Sequence, residues 1–211
     1  MTDNVLRTTA GSGDTFATDD VSGVHYQRVK ITDGTADSAT HLTIAAGGAY
    51  VIAHTDQLDI AITPTIDTAV YADGDRLGAV GTFSNAARSS GGTGTIVGAR
   101  MVDDAGSNFD IELWLFQASP TLVNADNGVF DITDANIATA GWVGTLDFLA
   151  ANSKLVSTTN RVCPGTWLNG PPSLPYVTSG SSSLFGVMKA RGAYDAAATD
   201  DLVVTLTVIR D

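Results

Sequence analysis

Phe109-Asp110-Ile111-Glu112-Leu113-Trp114-Leu115-Phe116 decides the fold class. Phe109, Ile111, Leu113 and Leu115 recur at every second position, which is the period of one face of a β-strand and not of a helix. Asp110 and Glu112 take the other face, where Trp114 and Phe116 join them. That two-sided apolar ending predicts burial against a second sheet or another subunit. The closing strand repeats the pattern: Leu202, Val204, Leu206 and Val208 form an apolar face opposite Thr205 and Thr207.

Shorter candidate strands surround these two. Leu58 to Thr63 alternates, with Leu58, Ile60 and Ile62 on one face, and stops at Pro64. His25 to Ile31, His41 to Ile44, Tyr50 to Ala53, Ile66 to Tyr71, Leu77 to Phe83, Thr95 to Val102, Trp142 to Leu149 and Ser183 to Arg191 complete the set. Turn signals separate them, among them Asp33-Gly34, Asp73-Gly74-Asp75, Ser89-Ser90-Gly91-Gly92 and Asp103-Asp104-Ala105-Gly106. Short strands at this spacing predict an all-β, antiparallel β-sandwich, jelly-roll-like in arrangement. One short helix is expected over Asp131 to Ala138, capped by Asp131 and favoured by Asp134 near its positive end. Residues 163–175 hold four of the six prolines together with Gly165 and Gly170, and read as an irregular loop.

Composition agrees. Of 23 acidic residues Glu112 is the one glutamate, which leaves 22 aspartates. Glutamate favours helices, whereas aspartate favours turns and caps by bonding its neighbouring backbone. Residues 1–22 are small and polar without sustained period and read as an extended N-terminal arm; residues 23–211 read as a single β-sandwich domain. A chain of 211 residues that is 44% hydrophobic can bury a core without disulfides.

The net charge of −12 repels phosphate backbones, so no nucleic-acid partner is expected. No apolar run approaches the roughly 20 residues of a membrane helix, and no membrane partner is expected. Met1-Thr2-Asp3-Asn4 lacks a basic region and an apolar region, so synthesis in a cytoplasm and delivery by assembly are expected.

The search for chemistry points to no enzyme, no cofactor and no metal. His25, His41 and His54 lack the local spacing of zinc ligands. No Gly-x-Ser-x-Gly elbow is present, and Ser181-Ser182-Ser183 reads as a hairpin linker. Cys163, the one cysteine, precedes Pro164 and has no nearby histidine, so a buried apolar thiol is expected. Gly91-Gly92-Thr93-Gly94 lacks the Lys-Ser/Thr ending of a phosphate loop, and Asn124-Ala125-Asp126-Asn127-Gly128 lacks the closing glutamate of a calcium loop. The pairs Asp19-Asp20, Asp103-Asp104 and Asp200-Asp201 read as turn formers. Trp114 and Trp142, in strands, are expected in the core, whereas Trp167 lies in the Pro/Gly loop and packs on its own core or on a partner.

Gly23-Val24-His25-Tyr26-Gln27-Arg28-Val29-Lys30-Ile31-Thr32-Asp33-Gly34 resembles a phrase near the N-termini of tailed-bacteriophage virion proteins. Gly74-Asp75-Arg76-Leu77-Gly78, Phe83-Ser84-Asn85-Ala86-Ala87-Arg88, Leu184 to Gly192 and Asp200 to Leu206 are similar to later phrases of the same proteins. The resemblance implies a virion structural protein: a capsid decoration (cement) protein on the capsid surface that clamps neighbouring major capsid proteins, self-associating as a homotrimer. Partner contact is then expected at Arg7 and Phe16 in the arm and at Trp167, Leu168 and Asn169 in the loop. The alternative is a tail or head-fibre module that binds host-surface glycans through exposed aromatics. A glycan hydrolase would need two carboxylates roughly 5–10 Å apart in a groove.

Overall fold

The computed structural model describes residues 56–167 and 173–211, together with the backbone pairing of three earlier strands. The chain divides into two compact units, Met1–Ala53 and His54–Asp211. In the first, β1 (Asn4–Leu6), β2 (Phe16–Val21) and β3 (Val24–Gln27) form an antiparallel sheet in that order. Its second hairpin pairs Val21 with Val24 and so spans the position where the sequence reading ends the arm. The expected strands at 41–44 and 50–53 lie outside the described residues.

The second unit is a sandwich of two antiparallel sheets. Its strands are β4 (Asp56–Ile62), β5 (Arg76–Phe83), β6 (Thr93–Asp103), β7 (Ile111–Phe116), β8 (Trp142–Phe148), β9 (Lys154–Leu155), β10 (Arg161–Pro164), β11 (Thr166–Trp167), β12 (Leu174–Val177), β13 (Leu184–Ala190) and β14 (Leu202–Arg210). One sheet runs β4-β14-β6-β10-β9, with β12 also paired to β6; the other runs β11-β8-β7-β13-β5. Numbered one to eight in chain order, the strands β4, β5, β6, β7, β8, β10, β13 and β14 pair as 1-8-3-6 in one sheet and 5-4-7-2 in the other.

The alternation read from the sequence is what fills the space between the sheets. Ile111, Leu113 and Leu115 of β7 are fully buried and meet Leu202, Val204, Leu206 and Val208 of β14 in one core cluster. Each such side chain contributes roughly 1.5–3 kcal/mol on burial. Close approach is needed where β13 crosses this layer: a Cβ on Gly186 would lie 2.8 Å from the Phe83 ring and 2.9 Å from Leu113 Cδ1.

Three readings are corrected. Ile66 to Tyr71 is a loop and not a strand, because Asp67 Oδ1 accepts from Ala69 N–H at 3.0 Å and turns the chain; only Tyr71 bridges to Tyr194. The helix, α1 (Asp134–Ala140), starts later than expected, since the Thr133 side chain, not Asp131, caps it by accepting from Asn136 N–H. The proline-rich stretch contains β10, β11 and β12, with residues 168–172 outside the described residues. Pro164 is tolerated at the end of β10, beyond the residues paired with β9, and Pro175 in β12, which among the described residues pairs with β6 alone.

Candidate functional site

The outer face of the β11-β8-β7-β13-β5 sheet carries the polar and aromatic side chains that the core excludes. Arg76, Lys189, Glu112, Asp147 and Thr166 are register partners in sequence across all five strands, so they form one transverse row. Glu112 and Asp147 are buried at its centre. Arg191 lies across both, with Nε 3.4 Å from Glu112 Oε1 and its terminal nitrogen 3.6 Å from Asp147 Oδ1. Lys189 Nζ is 3.7 Å from Glu112, and Trp114 Nε1–H donates to Glu112 Oε2 at 3.0 Å. Burial holds the Asp147 carboxyl above the ordinary aspartate value, against the pull of Arg191. Two carboxylates therefore stand among three cations, Arg76, Lys189 and Arg191, in a row fixed by the strand register.

Next to this row the face turns apolar. Phe116 and Val187 join Ile132 and Ala140 in a second buried cluster, with Trp114, Phe130 and Ile137 packed against it. Part of the other side of β7 is therefore covered by the chain's own excursion through α1. Trp114 stacks tilted against Phe130 at 5.3 Å and against Trp142 at 6.1 Å between centroids. Trp142 is 50% exposed, so the expectation that it belongs to the core is corrected. The register shifts between Leu115 and Phe116, which pairs Trp142 with Phe116 and turns it to the outer face.

Trp142 stands on the rim of a cleft of about 460 Å³. β11 pairs only with Leu146 and Asp147 of β8, so among the described residues the first half of β8 has no hydrogen-bonded neighbour on that side. Tyr176, Val177, Val143, Gln117, Thr95 and Asp211 line the space. Tyr176 donates to Ala86 O, and burial raises its hydroxyl to about 12, so it forms a fixed floor. Gly141 sets the rim: its φ of 65° ends α1, and a Cβ there would lie 2.9 Å from Gln117 Cδ. Gln117 N–H donates to Gly141 O at 2.9 Å and Ser179 N–H to Gln117 O at 3.0 Å. The Gln117 backbone is thus pinned on both sides beside Trp142.

Elsewhere the aspartates singled out from the sequence hold loops. Asp126 Oδ1 accepts from Tyr71 OH at 2.9 Å, Gly78 N–H at 2.6 Å and Asn127 N–H at 2.9 Å. Asp201 Oδ2 accepts from Ala197 and Ala198 N–H at 2.6 and 2.7 Å. Asp103 is fully buried; its Oδ1 accepts from Tyr194 OH at 2.9 Å, while Oδ2 has no partner among the described residues. No group of three metal-ligating side chains occurs among the described residues. Cys163 is a free, fully buried thiol whose pKa burial pushes up, as expected of a core residue.

Of the residues expected at a partner contact, Trp167 is partly buried in β11 and packs on the main core. Phe16 begins β2, where only the backbone is described. Arg7, Leu168 and Asn169 lie outside the described residues, as do His41 and His54. The cleft was missed from the sequence because its rim, Trp142, sits inside an apolar strand pattern; Gly141 immediately before it was the available signal.

No protein-family model matches the chain, and no curated protein does. Among solved structures the chain is similar to one in the native virion of Kashmir bee virus at acidic pH, at 11% identity over 98% of this chain and 92% of that one. The TM-score of that superposition is 0.20, so the likeness carries no argument about fold or role.

Proposed function

We propose that this chain is a non-enzymatic virion structural protein: a decoration protein of the capsid surface that clamps neighbouring major capsid proteins as a homotrimer, with no cofactor. The sequence phrases resembling tailed-phage virion proteins suggest the setting. The observation that carries the contact role is a pair of interlocked loops that bear exposed valines. Val70 is 58%, Val123 55% and Val129 65% exposed. Both loops are locked together: Tyr71 OH and Gly78 N–H bind Asp126, Asn127 Nδ2 donates to Ala69 O at 3.4 Å, and Asp75 bridges to Val129. Apolar side chains on preorganised loops lose little entropy on docking, which favours protein contact.

The proposed sandwich is a jelly roll, a reading supported by the 1-8-3-6 and 5-4-7-2 strand orders. Jelly rolls recur in viral shells and in lectins, an analogy of fold and not of site. The non-enzymatic reading is supported by the partners of the carboxylates, which bind backbone N–H groups, Tyr194 or Arg191.

Purified heads lacking the chain provide the test. Val123→Asp with Val129→Asp, at two exposed positions, is expected to reduce head occupancy at least tenfold while leaving the melting temperature within about 2 °C. Deleting residues 2–20 is expected to weaken binding as well. Undiminished occupancy of both variants, or location of the chain away from the capsid surface in a virion reconstruction, overturns the proposal.

A further inference from the structure

We propose that the cleft beside Trp142 binds a neutral saccharide, with the Trp142 indole as its stacking face and Gln117, Thr95 and Asp211 as its hydrogen-bonding groups. This goes beyond attachment to a shell and uses different residues.

The first argument is the ring. A tryptophan that is half exposed on a strand, resting on a second tryptophan at 6.1 Å, presents a supported flat apolar face. Trp114 is itself held by its bond to Glu112, so the platform is in place before a ligand arrives. The Trp142 indole N–H makes no hydrogen bond among the described residues, which leaves a donor at the edge of this face. One flat apolar face beside a donor suits a pyranose, which carries C–H groups on one side and hydroxyls around its rim.

The second argument is the polar complement. The Gln117 and Thr95 side chains line the cleft, and among the described residues neither makes a side-chain hydrogen bond. Asp211 accepts from Thr93 Oγ1 at 2.9 Å and keeps acceptor capacity for a ligand hydroxyl. Donors and acceptors are therefore mixed, which matches groups that both give and take a proton. Among the described residues no lysine or arginine lines the cleft and one aspartate, Asp211, does, on a chain of net charge −12. That balance disfavours sialylated, sulfated or phosphorylated ligands. The volume of about 460 Å³ falls within the usual range of small-molecule sites, roughly 300–1,000 Å³.

The full chain is to be screened on an array of neutral and sialylated glycans, then titrated with lactose, maltose, cellobiose and chitobiose while tryptophan fluorescence is followed. Binding of at least one neutral saccharide is expected, with Kd of order 1 mM, and with no preference for sialylated forms. Trp142→Ala and, separately, Gln117→Ala are expected to weaken it at least tenfold, and Trp167→Ala to leave it unchanged. Far-ultraviolet circular dichroism reports whether each variant is folded, and the Gln117 variant decides the matter if Trp142→Ala is not. No neutral binding up to about 50 mM overturns the proposal, as does binding that both variants retain or a preference for sialylated glycans. The edge of β8 that is unpaired among the described residues also suits a peptide strand; variants that lose head attachment with saccharide binding unchanged from the wild type would assign the cleft to that partner and sink the saccharide reading.

Discussion

At the scale of single residues, aspartate does two different jobs here. Asp126 binds two loops and β5 through one oxygen, so Asp126→Ala removes three hydrogen bonds at once. The expected cost is about 2–4 kcal/mol, read as a fall in denaturant midpoint, since each bond contributes roughly 0.5–1.5 kcal/mol. Asp103 is the opposite case. Burial raises its carboxyl above the ordinary aspartate value despite the Tyr194 bond, and Asp201 adds to the rise. A raised acid favours its neutral form in the folded chain, so its contribution is fully favourable below the ordinary carboxylate range. It is lost as pH climbs through the raised value. Asp103→Asn keeps an acceptor for Tyr194 and removes the charge. The variant is expected to melt higher than the wild type near neutral pH, by a few degrees if the relief is about 1 kcal/mol. The gap should close as pH falls; a gap that is constant with pH, or reversed, contradicts this account.

At the scale of elements, α1 is short and its stability comes from the lid it forms over Phe116 and Val187. Thr133→Ala removes its cap and is expected to destabilise the chain by about 1 kcal/mol. The accompanying change should be faster hydrogen exchange in Asp134–Ala140, with the β14 amides unaffected. On β13, Gly186→Ala forces a methyl against Phe83 and Leu113 between the sheets. Overpacking there is expected to cost roughly 1–3 kcal/mol in thermal melts. Equal stability to the wild type would mean that the sheets can separate to admit it.

At the scale of the whole molecule, the His54–Asp211 unit contains both described core clusters and both sheets of the sandwich. A fragment starting at His54 is therefore expected to unfold in one cooperative transition with near-native secondary structure. A broad, non-cooperative melt of that fragment would show that the first unit is needed to complete the fold. Retained cooperativity in the presence of a head-binding defect would show that the first 53 residues contribute to attachment without being needed for the sandwich.

The strand period of Phe109 to Phe116 and of Leu202 to Ile209 determined the all-β class and the core face, because a two-residue repeat sends alternate side chains to opposite sides whatever the partner. The buried thiol of Cys163 and the turn-binding role of Asp201 were legible from their immediate neighbours and from the turn preference of aspartate. Local pattern could not determine what covers the second face of β7, which strand neighbours which, or that Trp142 faces out. Those depend on a register shift opposite Phe116, on the path of the α1 excursion and on how little of β8 is paired by β11, all of them contacts between residues far apart in the chain. The row joining Glu112, Asp147, Lys189 and Arg191 is of the same kind: no segment contains it, and only the pairing of β7 with β8 and β13 brings it together.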